Sequence, residues 1–566
     1  MDLRISGIAS GLDTEQIIKD LMKAQRVRVD KLEQSKTTIQ WRQELFNSLN
    51  KDFANFILDT KKEFGLTTTS ATGSLLNKSV SSMNWVKKVV SSNPDMASVS
   101  ARADSVQGSY EVKVKQLASN WSAGSEDKIT QAADGSTANV AAQFNLADTD
   151  TIDFTITTNK GSVNINKTNL ASVAINDIIT EINGANIGVT AVYDSSIDRF
   201  FLQTKDTGTE NTIQVTDSSL LSNGNTAFIS GDNSTLKLKH IDDTGVSQYI
   251  TAGNAYSGKN AIIDFGAAQN IEQSSNQFTI NGITFDLKAK GDFTINVTTD
   301  VDAVYEKISK FVEKYNELVT KLNGELGEKR YSSYAPLTAE QKESMSEKEI
   351  ELWEEKAKSG LVKGDMVLQR TLLSMRGGMY EQVEGVEGAF NQLTQIGIST
   401  EGYFSGSKGG QLTIDETKLK EAIQQDVDGV IQLLFKEPST DLNKDDRYLT
   451  ASQIQQKRKE SGLIKRLYDN IIVGMKDIIT KAGTGDNADL YRSVNSSILI
   501  DFVTEYGSIS MLDKDISNYD KRLTSLNDYL TRAEDRYWQQ FTAMEKALQQ
   551  MNSQSAWMMQ QFGGGQ

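Results

Sequence analysis

The chain has 566 residues, 38% of them hydrophobic, and a formal net charge of -15. This length predicts about three or four domains, and the acidic charge argues against nucleic acid and anionic membranes as main partners, because both select basic surfaces. With no cysteine and one histidine, His240, the sequence excludes disulfides and leaves zinc, copper and haem sites without their usual ligands. It has no run of about 18 apolar residues and no basic segment followed by an apolar one at its start, so we expect no membrane insertion and no cleaved secretory signal.

The N-terminal arm predicts one long helix. Asp13 is placed to cap it, with Gln16 at the third helical position in a capping-box arrangement, and the helical pattern continues to about Phe64. Because the companion positions of its heptad pattern are half polar, we expect a weak coiled coil that needs a partner. The apolar residues that recur every seven positions are Leu32, Ile39, Phe46 and Phe53.

The middle of the chain is rich in strand patterns. Apolar residues alternate with charged ones in 108–117, which predicts a half-buried strand. The segment 278–287 predicts a hairpin, because Asn281-Gly282 is the favoured sequence of a type I′ turn, and a third strand is predicted at 293–297. Residues 118–245 are interpreted as an inserted β-rich module, with strands predicted at 152–156, 163–165, 187–193 and 199–204 and a helix face from 174 to 182.

Helical periodicity dominates after residue 300. An apolar face that begins at Val301 predicts a helix that ends before Gly324. Further helices are predicted at 338–359, 361–376, 415–435 and 462–481, with a short strand at 412–414.

The C-terminal arm carries the strongest periodic pattern, with apolar residues that alternate spacings of three and four. A stutter lies at Tyr537, where two spacings of four follow each other and locally unwind a supercoil. We expect this arm to pair with the N-terminal arm, with neighbouring subunits, or with both. Its seam residues include Leu512, Ile516, Tyr519, Leu523, Leu526, Leu530, Tyr537, Phe541, Met544, Leu548 and Met551.

The sequence shows no catalytic constellation. His240 stands in a strand-like stretch and is interpreted as a surface residue rather than a base or ligand. The glycine-rich segments 406–410 and 483–485 do not match the spacing of a phosphate-binding loop. An enzyme is therefore the least favoured class, and we expect no catalytic, metal-binding or cofactor-binding residues.

Several segments resemble flagellar hook-associated protein 2, the filament cap family. The start of the chain at 7–22 and its close at 537–557 are similar to the two ends of that family. The segments that match it between these ends, in the same order, are 278–287, 311–318, 360–365 and 412–419, and 150–215 resembles the insert repeat of flagellins and cap proteins. The resemblance covers 1–117 and 276–560, and the region between them is where that family varies.

This resemblance implies an α+β multidomain fold with terminal coiled-coil helices, a helical body domain, and β-rich head domains inserted in the middle. The implied segments are an N-terminal leg at 1–45, a body at 46–80 and 300–505, a β-rich head domain at 81–117 and 246–299, an inserted outer head domain at 118–245, and a C-terminal leg at 506–566.

The resemblance also implies a ring-shaped homo-oligomer at the distal tip of the bacterial flagellum. Such a cap retains exported flagellin and promotes its folding and insertion into the growing filament. The coiled-coil seams of both arms are then the oligomer and filament interface. Implied partners are flagellin, hook–filament junction proteins and a cytoplasmic export chaperone at the C-terminal arm. The implied route is export through the flagellar type III apparatus.

Two other functions stay open from the sequence. One is a hook–filament junction protein, which has the same terminal arms but sits at the base of the filament. The other is a surface adhesin that binds a host surface ligand through residues 118–275, a role compatible with capping.

Overall fold

The computed structural model describes residues 11–242, 244–400, 409–495, 499, 502–504, 507 and 509–562. The chain forms two compact units, which we call the terminal unit (Met1–Val80 with Val301–Gln566) and the inserted unit (Ser81–Asp300). Helices dominate the terminal unit, and antiparallel sheets dominate the inserted unit. The predicted α+β multidomain fold class is confirmed. The first residues of the 7–22 motif and most of the 406–410 glycine segment lie outside the described residues.

The helices and strands of the described residues are numbered along the chain. The helices are α1 (Thr14–Glu63), α2 (Val140–Phe144), α3 (Ile175–Gly184), α4 (Val301–Gly327), α5 (Ala339–Glu343), α6 (Glu347–Lys358), α7 (Met366–Tyr380), α8 (Glu416–Gln425), α9 (Val427–Phe435), α10 (Ala451–Glu460), α11 (Leu463–Ala482), α12 (Ala488–Val494) and α13 (Met511–Phe562). The strands are β1 (Thr67–Thr69), β2 (Leu75–Asn77), β3 (Lys87–Ser91), β4 (Ala97–Ala101), β5 (Gly108–Gln116), β6 (Ser122–Ser125), β7 (Ile152–Thr158), β8 (Gly161–Lys167), β9 (Val189–Asp194), β10 (Arg199–Thr204), β11 (Thr212–Asp217), β12 (Leu238–Ile241), β13 (Ser247–Tyr249), β14 (Ala255–Ser257), β15 (Ala261–Phe265), β16 (Ala268–Gln273), β17 (Gln277–Ile280), β18 (Ile283–Leu287), β19 (Gly291–Thr299), β20 (Ile398–Thr400) and β21 (Leu412–Ile414).

The inserted unit contains two hydrophobic cores. The first includes Phe154 and Leu202, which belong to the sheets ordered β14-β11-β7-β8 and β13-β12-β6-β10-β9, together with Ile178 of α3. The second includes Val112 and Phe285, which belong to the sheets ordered β16-β15-β5-β19-β3 and β17-β18-β4. The predicted strand pairs β7–β8 and β9–β10 are confirmed as antiparallel ladders. Strand β11, which lies beside β7, and strand β15, which lies beside β5, were not predicted.

The predicted Asn281-Gly282 hairpin is confirmed, with β17 and β18 on either side of the turn. Asn281 has a φ of 49° and Gly282 a φ of 74°, as a type I′ turn requires at both central residues. The turn is also held from the side, because Arg102 N and Ser105 Oγ both donate to the carbonyl of Gly282 at 2.9 Å. Gly282 therefore has both a conformational and a steric reason to be glycine.

Gly282→Ala is expected to loosen this hairpin far more than Gly266→Ala loosens the β15–β16 turn. A Cβ at Gly282 would lie 2.7 Å from the backbone nitrogen of Ser105, whereas one at Gly266, with a φ of 55°, meets nothing within 4 Å. The control should cost about 1 kcal/mol for its left-handed backbone, and Gly282→Ala about 3 kcal/mol because the clash adds to that cost. Hydrogen exchange of the β17 and β18 amides measures the difference, and equal exchange in both variants would contradict it.

The terminal unit is built on α1. The Asp13 carboxylate accepts from Gln16 N at 2.9 Å and so caps the helix as predicted. The reciprocal half of the predicted capping box does not form, and the Gln16 side-chain nitrogen donates to Asp20 at 3.1 Å. Towards its C-terminal end α1 enters a core, where the ring of Phe56 packs against Phe311 of α4 and Tyr468 of α11.

Four helix predictions needed correction in their bounds. The helix from Val301 continues through Gly324 and ends at Gly327. The region 338–359 is two helices, because Thr338 and Ser346 each start a helix with a capping box. The region 415–435 is also two helices, because Asp426 leaves helical geometry and caps α9. The helix predicted at 361–376 is α7, which Asp365 caps.

Candidate functional site

The candidate site is the pair of long terminal helices, α1 with 50 residues and α13 with 52. They run antiparallel, because Lys36 Nζ lies 2.5 Å from the Asp520 carboxylate and the Gln43 amide donates to Asp513 at 2.7 Å. Beyond these polar contacts the helices share one apolar seam. Its buried members are Ile18, Met22, Val29, Leu523, Leu530 and Ala533, and Leu32, Leu526, Tyr537, Trp538 and Phe541 pack against them.

The structure brings the best-defined part of the predicted C-terminal seam onto α1. Leu523 and Leu530 are buried there, and Leu526, Tyr537 and Phe541 are half-buried against the same cluster. Leu512 is buried at the start of α13. The positions Ile516, Tyr519, Met544 and Leu548 are half-buried, and Met551 is exposed.

The predicted N-terminal seam is corrected at two positions. Leu32 packs on the shared cluster and Ile39 is half-buried. Phe46 and Phe53, by contrast, are fully buried in the terminal unit, so they are core residues and not surface positions of a seam. The seam instead extends in the other direction, to Met22 and Ile18. Counting back seven residues from Val29 to Met22 could have found this extension.

The free end of α13 presents apolar side chains to solvent. Residues 549–561 are all exposed. Among them Met551 and Trp557 are each 58% exposed and Met559 is 76% exposed. Large apolar side chains gathered on one exposed segment mark an interaction surface.

A buried carboxylate links α1 to α11. Asp365 is 3% exposed at its side chain, and one of its oxygens lies 2.9 Å from Arg42 of α1 and 2.5 Å from Lys481 of α11. The two cations also flank the ring of Phe46. Burial alone would raise the pKa of Asp365, but the hydrogen bond and charge of Lys481 and the N–H groups of α7 outweigh it and hold that pKa below its ordinary value.

Asp365→Asn is expected to destabilise the terminal unit by about 2 kcal/mol near neutral pH, because it leaves two cations facing an uncharged group. Since the folded pKa lies below the ordinary 3.8, this contribution is complete above that pH and is lost as the pH falls through the folded value. The difference between wild type and variant should therefore shrink in acid. Urea unfolding followed by far-ultraviolet circular dichroism measures it across this range.

Asp415→Asn is the matched control, because Asp415 caps α8 in the same way but its side chain is 47% exposed. It should change the free energy of unfolding by less than about 0.5 kcal/mol. A difference for Asp365→Asn that stays constant with pH would contradict the assignment.

His240 is less exposed than the sequence suggested. It lies in β12 and is half-buried, with its ring 4.6 Å from that of Tyr256 and 6.1 Å from that of Trp121. In the part of the chain that the structure describes, no group of three or more His, Cys, Asp or Glu residues is arranged to hold a metal ion. No helix within the same ranges is both long and apolar enough to cross a membrane.

Comparison with known proteins adds to this geometry. The family model described as flagellar hook-associated protein 2 N-terminus matches residues 10–121, and the model for its C-terminus matches 258–553. The flagellar hook-associated protein 2 of Halalkalibacterium halodurans is 32% identical, and the alignment covers 99% of this chain and 100% of that protein. The chain belongs to the flagellar hook-associated protein 2 family. The helix α1 falls within the first match, and α13 falls within the second up to residue 553.

Some of the matches are more distant. The flagellar hook-associated protein 2 of Thermotoga maritima is 25% identical over 69% of this chain and 52% of its own length. Among solved structures, the D1-D2-D3 domains of the flagellar cap protein FliD from Escherichia coli match with a TM-score of 0.46 and 18% identity, over 76% of this chain and 94% of that one. FliD from Pseudomonas aeruginosa matches 40% of this chain and 95% of its own, with 22% identity and a TM-score of 0.28.

Proposed function

We propose that this chain is the subunit of a ring-shaped cap at the distal tip of the flagellar filament, where it retains exported flagellin and promotes its folding and insertion. The observation that supports it is the full-length relation to a flagellar hook-associated protein 2, combined with the paired terminal helices. In this proposal α1 up to residue 45 and α13 form the leg, the rest of the terminal unit forms the body, and the inserted unit supplies the head domains.

The leg has the physical properties that such a role needs. At 1.5 Å per residue, a helix of this length extends about 75 Å. The seam between α1 and α13 covers apolar side chains within one chain. Others stay exposed, among them Leu21, Val27, Tyr529 and Trp557. These are available to neighbouring subunits, to hook–filament junction proteins and to flagellin, and the exposed end of α13 is available to an export chaperone before secretion.

A deletion strain tests the capping role. Without this gene, cells should release unpolymerised flagellin into the medium and carry short filaments or none, and the wild-type gene should restore filaments. Export through the flagellar type III apparatus predicts that the chain reaches the medium with its own N-terminus intact. Full-length filaments on the deletion strain would reject the proposal.

Immunogold labelling of intact filaments separates capping from a junction role. A cap subunit is labelled at the filament tip, whereas a junction protein is labelled at the base. Labelling confined to the base would assign the chain to the junction instead.

A further inference from the structure

The terminal unit encloses a cavity of about 430 Å³ between the end of α1, the segment leading to Val80, α9 and α11. This volume falls within the range of small-molecule sites in proteins. The apolar part of its wall is formed by Leu66, Val80, Ile431, Phe435, Tyr468 and Ile472, and the other lining residues are polar or charged. Such walls favour a ligand with a hydrocarbon body.

The charges around this cavity have the opposite sign to the chain as a whole. Four lysines and two carboxylates line it, in a chain whose net charge is -15. Two of the lysines are already engaged, because Lys465 lies 3.3 Å from Asp469 and Lys436 donates to the carbonyl of Glu384 at 2.7 Å. A local excess of positive charge beside apolar walls selects an anion.

Lys61 lies against the aromatic wall of the cavity. It is half-buried, and its Nζ lies 5.8 Å from the ring centroid of Tyr468, whose hydroxyl is bonded to Thr60 at 2.7 Å. The charges of Asp469 and Glu437 reach this ammonium group, and Asp469 is already paired with Lys465 at 3.3 Å. Burial, as the largest cause, and the nearby Lys465 lower the pKa of Lys61, and the two carboxylates only partly oppose this shift. Burial of an ammonium group is costly, and a bound anion would offset part of that cost.

We propose that this cavity binds an apolar carboxylate, with its hydrocarbon body against Ile431, Phe435 and Ile472 and its carboxylate on Lys61 Nζ. The same chemistry is found in a free medium-chain carboxylic acid and in the C-terminal carboxylate of a peptide that ends in an apolar residue. The inference does not depend on the capping role, because it rests on the cavity alone.

Calorimetric titration of the full chain with octanoate and with N-acetyl-leucyl-leucine tests both sources of this chemistry. Octanamide has the same hydrocarbon body as octanoate but no charge, and it should bind at least ten-fold more weakly. This factor corresponds to the loss of about one hydrogen bond to a charged group. Lys61→Gln should weaken binding of the carboxylate by a similar factor. Lys62→Gln, at the adjacent exposed position, is the matched control and should leave binding unchanged.

The outcomes separate cleanly. Binding of only one of the two carboxylates supports the proposal and identifies the source. Absence of binding by both, or equal binding of octanoate and octanamide, overturns it without relying on any variant. Unchanged octanoate binding in a folded Lys61→Gln chain overturns the assigned role of Lys61. Filament formation is read separately, so failure here leaves the capping proposal unaffected.

Discussion

Replacing Leu523 and Leu530 together with aspartate is expected to separate α13 from α1 and to abolish swarming. Both leucines are buried in the seam between the two helices, at 9% and 7% exposure. Each loses about 1.5–3 kcal/mol of burial, and each new carboxylate would be placed against an apolar surface. The combined loss of at least about 4 kcal/mol exceeds what one helix pair can absorb.

Thr524→Asp with Thr531→Asp is the matched control for this double variant. These positions lie one residue further along α13, are exposed, and receive the same two charges. Swarming plates and electron microscopy of filaments measure the function, and circular dichroism checks that the rest of the chain stays folded. Normal swarming with the leucine variant, or equal loss with both variants, would contradict the role assigned to the seam.

Short-range signals in the sequence were sufficient for much of the local structure. The Asn281-Gly282 turn, the Asp13 cap and the strand of alternating residues at β5 all depend on residues within a few positions of each other. The helix breaks that were not predicted also have signals in the nearby sequence. Thr338 with Gln341 and Ser346 with Glu349 are capping boxes in the sequence, and reading them would have divided the helix predicted at 338–359.

The periodicity of the sequence identified which helix faces are apolar, but not which elements pack against them. Leu32, Phe46 and Phe53 share one heptad register in α1, yet Leu32 packs against α13 whereas the two phenylalanines belong to the core of the terminal unit. A heptad shows that a face is apolar over its length, and the partner can change along it. The difference arises from tertiary packing, to which α4 and α11 contribute from far along the chain.

Buried charged residues could not be predicted from the sequence, because their partners lie far from them along the chain. Asp365 meets Arg42 and Lys481, residues that are separated by hundreds of positions. Arg466 is also buried. Nothing in the sequence around it distinguishes it from the exposed arginines, and arginine is seldom fully buried. The cavity at Lys61 could not be predicted for the same reason, because its lining residues come from 61–80 and 431–472, which lie far apart in the sequence.

Arg466→Met is expected to cost about 4 kcal/mol of stability in the terminal unit, because Arg466 completes the ends of two helices. The last carbonyls of any helix lack partners within it. Arg466 is 1% exposed and donates to such carbonyls at the ends of α7 and α10. The acceptors are the carbonyl oxygens of Gly378, Glu381, Gln382, Arg458, Lys459 and Ser461, at 2.7–3.3 Å.

Methionine fills similar space but donates nothing, so several buried carbonyls lose their hydrogen bonds at about 1–3 kcal/mol each before relaxation. Lysine keeps the charge, but its three donors radiate from one atom and cannot replace a planar fork that reaches two helix ends. Arg466→Lys should therefore fall between wild type and methionine, at about 2 kcal/mol. Urea unfolding followed by far-ultraviolet circular dichroism gives the free energies, since helices dominate the terminal unit.

Arg370→Met is the matched control, because this arginine of α7 has a side chain that is 69% exposed and lies 3.6 Å from Asp477. Exposed pairs of this kind contribute at most about 1 kcal/mol. If Arg466→Met unfolds at the same urea concentration as Arg370→Met, the helix ends find water or other donors and the six bonds add little net stability. If lysine matches wild type, the positive charge at the two helix ends accounts for the effect rather than the geometry of the guanidinium.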